Sequence, residues 1–152
     1  MAFISKYAFH AACLAYVQQR LDEALAGMAA AQESSNTETK SSAGDKYETG
    51  RAMAQQERDH HAMQLHEAQQ LLAALQKINP ERPCDVVRPG ALVATSLGLF
   101  YLSIGAGKLS TDDGKEFMAV SPVAPVILAL SGRRAGEEVL FNGKLVRVDT
   151  VH

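Results

Sequence analysis

From Ile4 to Met28 the apolar residues fall at Ile4, Tyr7, Ala11, Leu14, Leu21, Leu25 and Met28, steps of three and four that only Gln18 interrupts. This is the a and d spacing of a heptad, with Gln19, Arg20, Asp22 and Glu23 left for solvent, and it predicts one long helix from about Ser5 to Glu33. The polar run SSNTETKSS follows, rich in side chains that compete for backbone hydrogen bonds, so the helix is expected to stop there. A second helix is expected from about Asp45 to Ile78, where Asn79-Pro80 ends it. Its apolar seam is strong through Ala68, Leu71, Leu72, Leu75 and Ile78. Toward its start the seam dissolves into Ala54, Glu57, His61 and Gln64. At a rise of about 1.5 Å per residue each helix would be on the order of 45 to 50 Å long, and a short turn makes them antiparallel. Such a hairpin, apolar at its base and polar at its tip, suits reaching into a partner.

The period changes after the two-proline linker Asn79–Asp85, NPERPCD, which marks a domain boundary. Val86–Arg88, Leu92–Thr95, Leu99–Ser103 and Phe117–Val120 read as short strands. Ser121-Pro122 has the form of an N-cap with proline at the first helical position, opening a short apolar helix through Leu130 that Gly132 ends. Glu138–Phe141 and Lys144–Val151 read as a hairpin closed by Asn142-Gly143. Gly105-Ala106-Gly107-Lys108 reads as a turn, since it lacks the spacing and the Ser or Thr of a phosphate loop. The expected fold class is α+β. Residues 1–79 form an antiparallel helical hairpin (coiled coil) with its tip near 34–48, and 80–152 a small mixed sheet with one helix.

Composition narrows the function. The chain has 152 residues, and its 15 basic against 17 acidic side chains exclude a generic high-pI nucleic-acid binder. Specific DNA binding is not expected. Cys13 and Cys84 lie far apart without the spacing of a zinc site or a disulfide framework, which suggests reduced thiols in a cytoplasmic protein. His10 interrupts the first apolar run, which reads as the start of a structural helix rather than a secretory signal. No stretch reaches the roughly 18 to 20 apolar residues that span a bilayer.

Candidate chemistry lies in Lys40–Met53, KSSAGDKYETGRAM, where Asp45 and Glu48 stand three apart at a helix start and so share a face. Two co-directed carboxylates can hold a divalent metal through oxygen ligands. They can equally be a capping arrangement, Asp45 as N-cap and Glu48 at the third helical position, both favoured by the helix dipole. His60, His61 and His66 are better read as solvated or seam-facing than as metal ligands, because no second ligand pair completes a site.

Two motifs together resemble the bacterial Gre transcript-cleavage factors. The first is Gly44-Asp45-Lys46-Tyr47-Glu48 with Arg51-Ala52 and Gln55-Gln56-Glu57, similar to the family's GDLxENAxYxxA tip. The second is Ser121-Pro122-Val123-Ala124 continuing through Leu130, Gly132, Gly136-Glu137 and Val139 to Phe141, similar to its SPIAxxLxGxxxGDxV signature. The likeness covers about residues 40 to 151, with helix one matching in kind only. It implies an FKBP-like C-terminal domain that docks at RNA polymerase through the region of Ser121 and Pro122, and a hairpin that enters the enzyme's secondary channel. It also implies that Asp45 and Glu48 help the polymerase hold a second Mg²⁺ and orient the water that cleaves backtracked RNA at its 3′ end. The chain would then lend ligands to another enzyme and be no complete enzyme itself. Thr49-Gly50 departs from the family's Asn-Ala, and Tyr47 from its small or charged residue. The segment from Ser34 to Ala43 reads as longer than the family's turn, which would set the pair back from the apex and make Glu38 foremost. Two alternatives stay open: a non-catalytic regulator or inhibitor of the polymerase in the same channel, and an unrelated coiled-coil interaction protein in which Asp45 and Glu48 are caps only. Neither prolyl isomerase nor acyl-transfer chemistry is expected.

Overall fold

The computed structural model describes residues 5–40 and 44–152, with side chains for all of these except 34–40 and 44–49. Two long helices come first, α1 (Tyr7–Lys40) and α2 (Gly44–Gln76). The first runs further than its periodicity predicts, since Ser34–Lys40 continue the helix instead of ending it. Once a helix is nucleated, each added residue costs only its propensity, under about 1 kcal/mol for Ser, Asn or Thr, so polar composition alone is a weak stop. The connection therefore shrinks to residues 41–43, which lie outside the described residues.

The chain divides into two compact units. One is Val17–Leu72, the paired lengths of α1 and α2. The helices run antiparallel there: Arg58 donates to the Gln32 side-chain oxygen at 2.8 Å, and the His61 ring lies against Gly27. The buried positions are Val17, Ala24 and Ala31 on α1 and Ala54 and Ala68 on α2. This corrects the expected seam of helix one, because Tyr7, Leu14 and Leu25 are exposed. Helix separation follows the size of the side chains at the contact, and small ones let the backbones close up. Alanine therefore marks most of the buried line, where a reading weighted toward leucine points to the wrong face.

The other unit joins the first turns of α1, up to Tyr16, to Ala73–His152. Its strands are β1 (Leu92–Thr95), β2 (Gly98–Leu102), β3 (Gly107–Ser110), β4 (Glu116–Val120), β5 (Glu138–Phe141) and β6 (Lys144–Val151), with helix α3 (Pro125–Leu130) between β4 and β5. They form one mixed sheet of six strands in the order β3-β4-β2-β1-β6-β5, in which only β2 and β4 pair in parallel. The β5–β6 hairpin turns on Asn142 (φ 51°) and Gly143 (φ 78°), the positive values a two-residue turn of this kind requires. Leu92 and His152 exchange backbone hydrogen bonds of 2.9 and 3.0 Å, so the last strand closes against the first.

Three local expectations change. Val86–Arg88 is no strand, and only Val86 bridges to Arg134. Gly107 and Lys108 open the edge strand β3 instead of lying in a turn; Leu109 is its one large apolar residue, so the strand is specified by pairing with β4 more than by its own pattern. The short helix begins at Pro125, not Pro122. Ser121 and Ala124 close a turn first, through Ala124 N–H to Ser121 O at 3.0 Å, and Pro125 then supplies the preset φ and missing N–H that suit a helix start.

Both faces of the sheet are covered. Val93, Phe100, Leu102, Val146 and Val148 pack with Ile127 and Leu130 of α3 in one buried cluster. On the other face Leu92, Tyr101, Phe117 and Ala119 are buried, and Phe9 of α1 meets Phe117 edge-on with ring centres 5.0 Å apart. Among the described residues no helix is long and apolar enough to cross a membrane.

Candidate functional site

Asp45 and Glu48 are the second and fifth residues of α2. Their spacing sets them on one face of its opening turns, with only residues 41–43 between that helix and the end of α1. Because α2 begins at Gly44, Asp45 lies inside the first turn and not at the expected N-cap, a position where the dipole still favours a carboxylate. Glu38 falls in the last turn of α1. The side chains of Asp45, Glu48 and Glu38 lie outside the described residues.

A second group of chemistry-bearing residues lies where α1 crosses the sheet. Lys6, His10 and Cys13 recur at helical spacing and are all buried. Lys6 Nζ donates to Arg82 O at 2.6 Å and Gly90 O at 2.8 Å, and stands 3.7 Å from Cys84 Sγ. Arg88 Nε approaches the same sulfur at 3.4 Å. Burial pulls the Lys6 amine below the ordinary lysine value, opposed by the neighbouring sulfur. One turn on, His10 Nδ1 lies 2.8 Å from the Tyr101 hydroxyl, and burial lowers the histidine while raising the tyrosine. Cys13 Sγ faces Ser103 Oγ at 3.6 Å, and burial pushes this thiol up. Among the described residues no buried side-chain nitrogen or oxygen lacks a partner. A buried polar row this well satisfied holds the start of α1 in one register on the sheet.

Along the chain His10 stands out only as an interruption of an apolar run, and nothing there connects Lys6 with Cys84. The signal that marks the row is the spacing of Lys6, His10, Cys13 and Val17, a helical stripe in which polar and small residues occupy the buried side. Of the other candidates, Ser121 accepts from Val123 N–H at 3.3 Å in the turn before α3, where Pro122 is half-buried and Val123 exposed. His60 and His66 are exposed, and half-buried His61 lies within reach of Gln64 Oε1 at 2.9 Å. No grouping of three metal-ligating side chains occurs among the described residues. No family model matches the chain, and no curated protein or solved structure matches it significantly.

Proposed function

We propose that this chain acts on RNA polymerase in the manner of a Gre factor. Its helical hairpin enters the secondary channel, and Asp45 and Glu48 serve there as oxygen ligands for a second Mg²⁺. The supporting observation is the brevity of the connection. With α1 running to Lys40 and α2 starting at Gly44, the two carboxylate positions belong to the first turns after the hairpin's end, and the set-back that a long turn would impose does not arise. In two-metal cleavage one ion activates water and the other stabilises the leaving oxygen, and two carboxylates beside phosphate oxygens are ordinary ligands for Mg²⁺. The polymerase remains the enzyme on this reading. The mixed sheet with α3 across one face is compatible with an FKBP-like docking unit, for which the Ser121–Pro122 turn and exposed Val123 and Leu128 offer a contact surface.

The test uses purified polymerase stalled on backtracked RNA with Mg²⁺. The wild-type chain is expected to shorten the RNA from its 3′ end. Asp45→Ala and Glu48→Ala are expected to keep binding while cleavage falls by roughly 10–100-fold, the scale of disturbing groups that hold a metal. Binding that displaces an authentic cleavage factor without any cleavage identifies a non-catalytic occupant of the channel. Failure to bind polymerase at moderate salt rejects the reading in favour of an unrelated partner.

A further inference from the structure

The two cysteines are both buried and unpaired, yet their surroundings differ in kind. Cys13 faces a neutral hydroxyl. Cys84 faces two cationic donors, Lys6 at 3.7 Å and Arg88 at 3.4 Å. An ammonium has three protons to donate. Two of those on Lys6 go to the carbonyls of Arg82 and Gly90, and Cys84 Sγ is the acceptor near the third. Lys6 is 4% exposed, and among the described residues no carboxylate pairs with it. A buried ammonium without an anion is costly, and besides the two carbonyls its polar neighbour is the Cys84 sulfur 3.7 Å away. Amine and thiol are each nucleophilic once deprotonated.

We propose that Cys84 and Lys6 form a covalent sulfur–nitrogen cross-link when the protein meets a hydroperoxide, so that this pair is a redox-modification site. The thiolate sulfur of Cys84 attacks the terminal peroxide oxygen. An S–O bond forms, the O–O bond breaks, and the departing oxygen leaves as hydroxide, which takes a proton from the Lys6 ammonium to become water and so frees the amine; sulfur is oxidised to sulfenic acid and the peroxide reduced. The neutral Lys6 amine then attacks that sulfur. An S–N bond forms, the S–O bond breaks, and the oxygen leaves as water with a proton from nitrogen, the same condensation that backbone nitrogen undergoes with sulfenic acids. With hydrogen peroxide the net change is one peroxide consumed, two waters released and two hydrogens lost from the chain. The flexible stem of Lys6 lets Nζ leave a carbonyl and close on sulfur. Cys84 is 8% exposed and lies between exposed Pro83 and exposed Asp85. The link joins residues 78 apart in the chain, so it staples the start of α1 to the linker ahead of β1. Closing so long a loop restricts the unfolded chain and raises the thermal midpoint.

The experiment treats the full-length folded protein with hydrogen peroxide, quenches with catalase, alkylates under denaturing conditions and maps peptides by mass spectrometry. The expected product is a peptide pair joined through Lys6 and Cys84, lighter by two hydrogens and separated again by dithiothreitol. It should persist in Cys13→Ser, which removes the competing Cys13–Cys84 disulfide of equal mass change, and vanish in Cys84→Ser. In Lys6→Arg the cation stays but the nucleophilic amine is gone, and Cys84 should stop at a sulfenic acid that dimedone captures. The proposal is overturned if the wild-type map shows no Lys6–Cys84 pair, whether Cys84 is unmodified, dimedone-labelled or disulfide-bonded to Cys13. The wild-type and Cys13→Ser maps are decisive even where a Lys6 variant folds poorly.

Discussion

His10 Nδ1 lies 2.8 Å from the hydroxyl of Tyr101, in a contact that ties the second turn of α1 to the middle of β2. Both rings are buried, and burial keeps the imidazole neutral to lower pH than usual. The ordinary histidine value is about 6.5, which the unfolded chain adopts. Between that value and the lower folded one, the unfolded state binds more protons than the folded state, so stability rises with pH there. The contribution is complete above about pH 6.5 and is lost as pH falls toward the folded value. Urea midpoints measured from about pH 7 to 5 are expected to fall in the wild type, and the slope to flatten in His10→Gln, which keeps an acceptor for Tyr101 and removes the titration.

Lys6 fastens α1 to the linker by donating to Arg82 O and Gly90 O. Lys6→Met keeps most of the stem and strips Gly90 O of its buried side-chain donor, while Arg82 O keeps the Cys84 thiol at 3.8 Å. A loss of about 1–3 kcal/mol in unfolding free energy is expected, the cost of leaving a buried acceptor unpaired. The exposed Lys77→Met should change stability by no more than about 0.5 kcal/mol. Equal effects from the two substitutions in urea denaturation would refute this role for Lys6.

Gly27 sits where the His61 ring leaves no room for a side chain: a β-carbon there would lie 2.5 to 2.7 Å from Nδ1, Cε1 and Cγ. In an exposed helix Gly→Ala stabilises by up to about 1 kcal/mol. Here Gly27→Ala is expected to destabilise by about 1–3 kcal/mol through overpacking. His61→Ala should relieve the clash, leaving the double variant more stable than Gly27→Ala alone. Additive effects of the two changes would rule out this contact.

At the β5–β6 turn, Gly143 has φ 78° and open space around its missing side chain. Gly143→Ala should therefore cost about 1 kcal/mol from backbone conformation alone, with no clash to relieve. A thermal melt that matches wild type would contradict this.

Features with a local cause are legible in the chain alone. The β5–β6 hairpin is written in Asn142-Gly143 and the alternation around it, and β1 in its own apolar run; the structure has these strands with the expected bounds. The α+β order of two long helices followed by a sheet with one helix is likewise legible, because period and proline breaks act over a few residues. Asp45 and Glu48 are recognisable as a same-face pair by spacing alone.

Most of the rest follows from contacts between distant parts of the chain. Folding buries Lys6, His10 and Cys13 while leaving Tyr7, Leu14 and Leu25 exposed, because the side of α1 that faces inward depends on what packs against it. Hydrophobic spacing identifies a stripe only when large apolar residues form most of the contact, and here small residues and satisfied polar ones share it with Phe9 and Val17. Pairing makes Gly107–Ser110 an edge strand against β4, and α3 starts at Pro125. The continuation of α1 to Lys40 comes from helix propagation that composition opposes only weakly. The Lys6–Cys84 pair joins residues 78 apart, and no periodicity in the chain relates them; folding alone brings the amine to the sulfur.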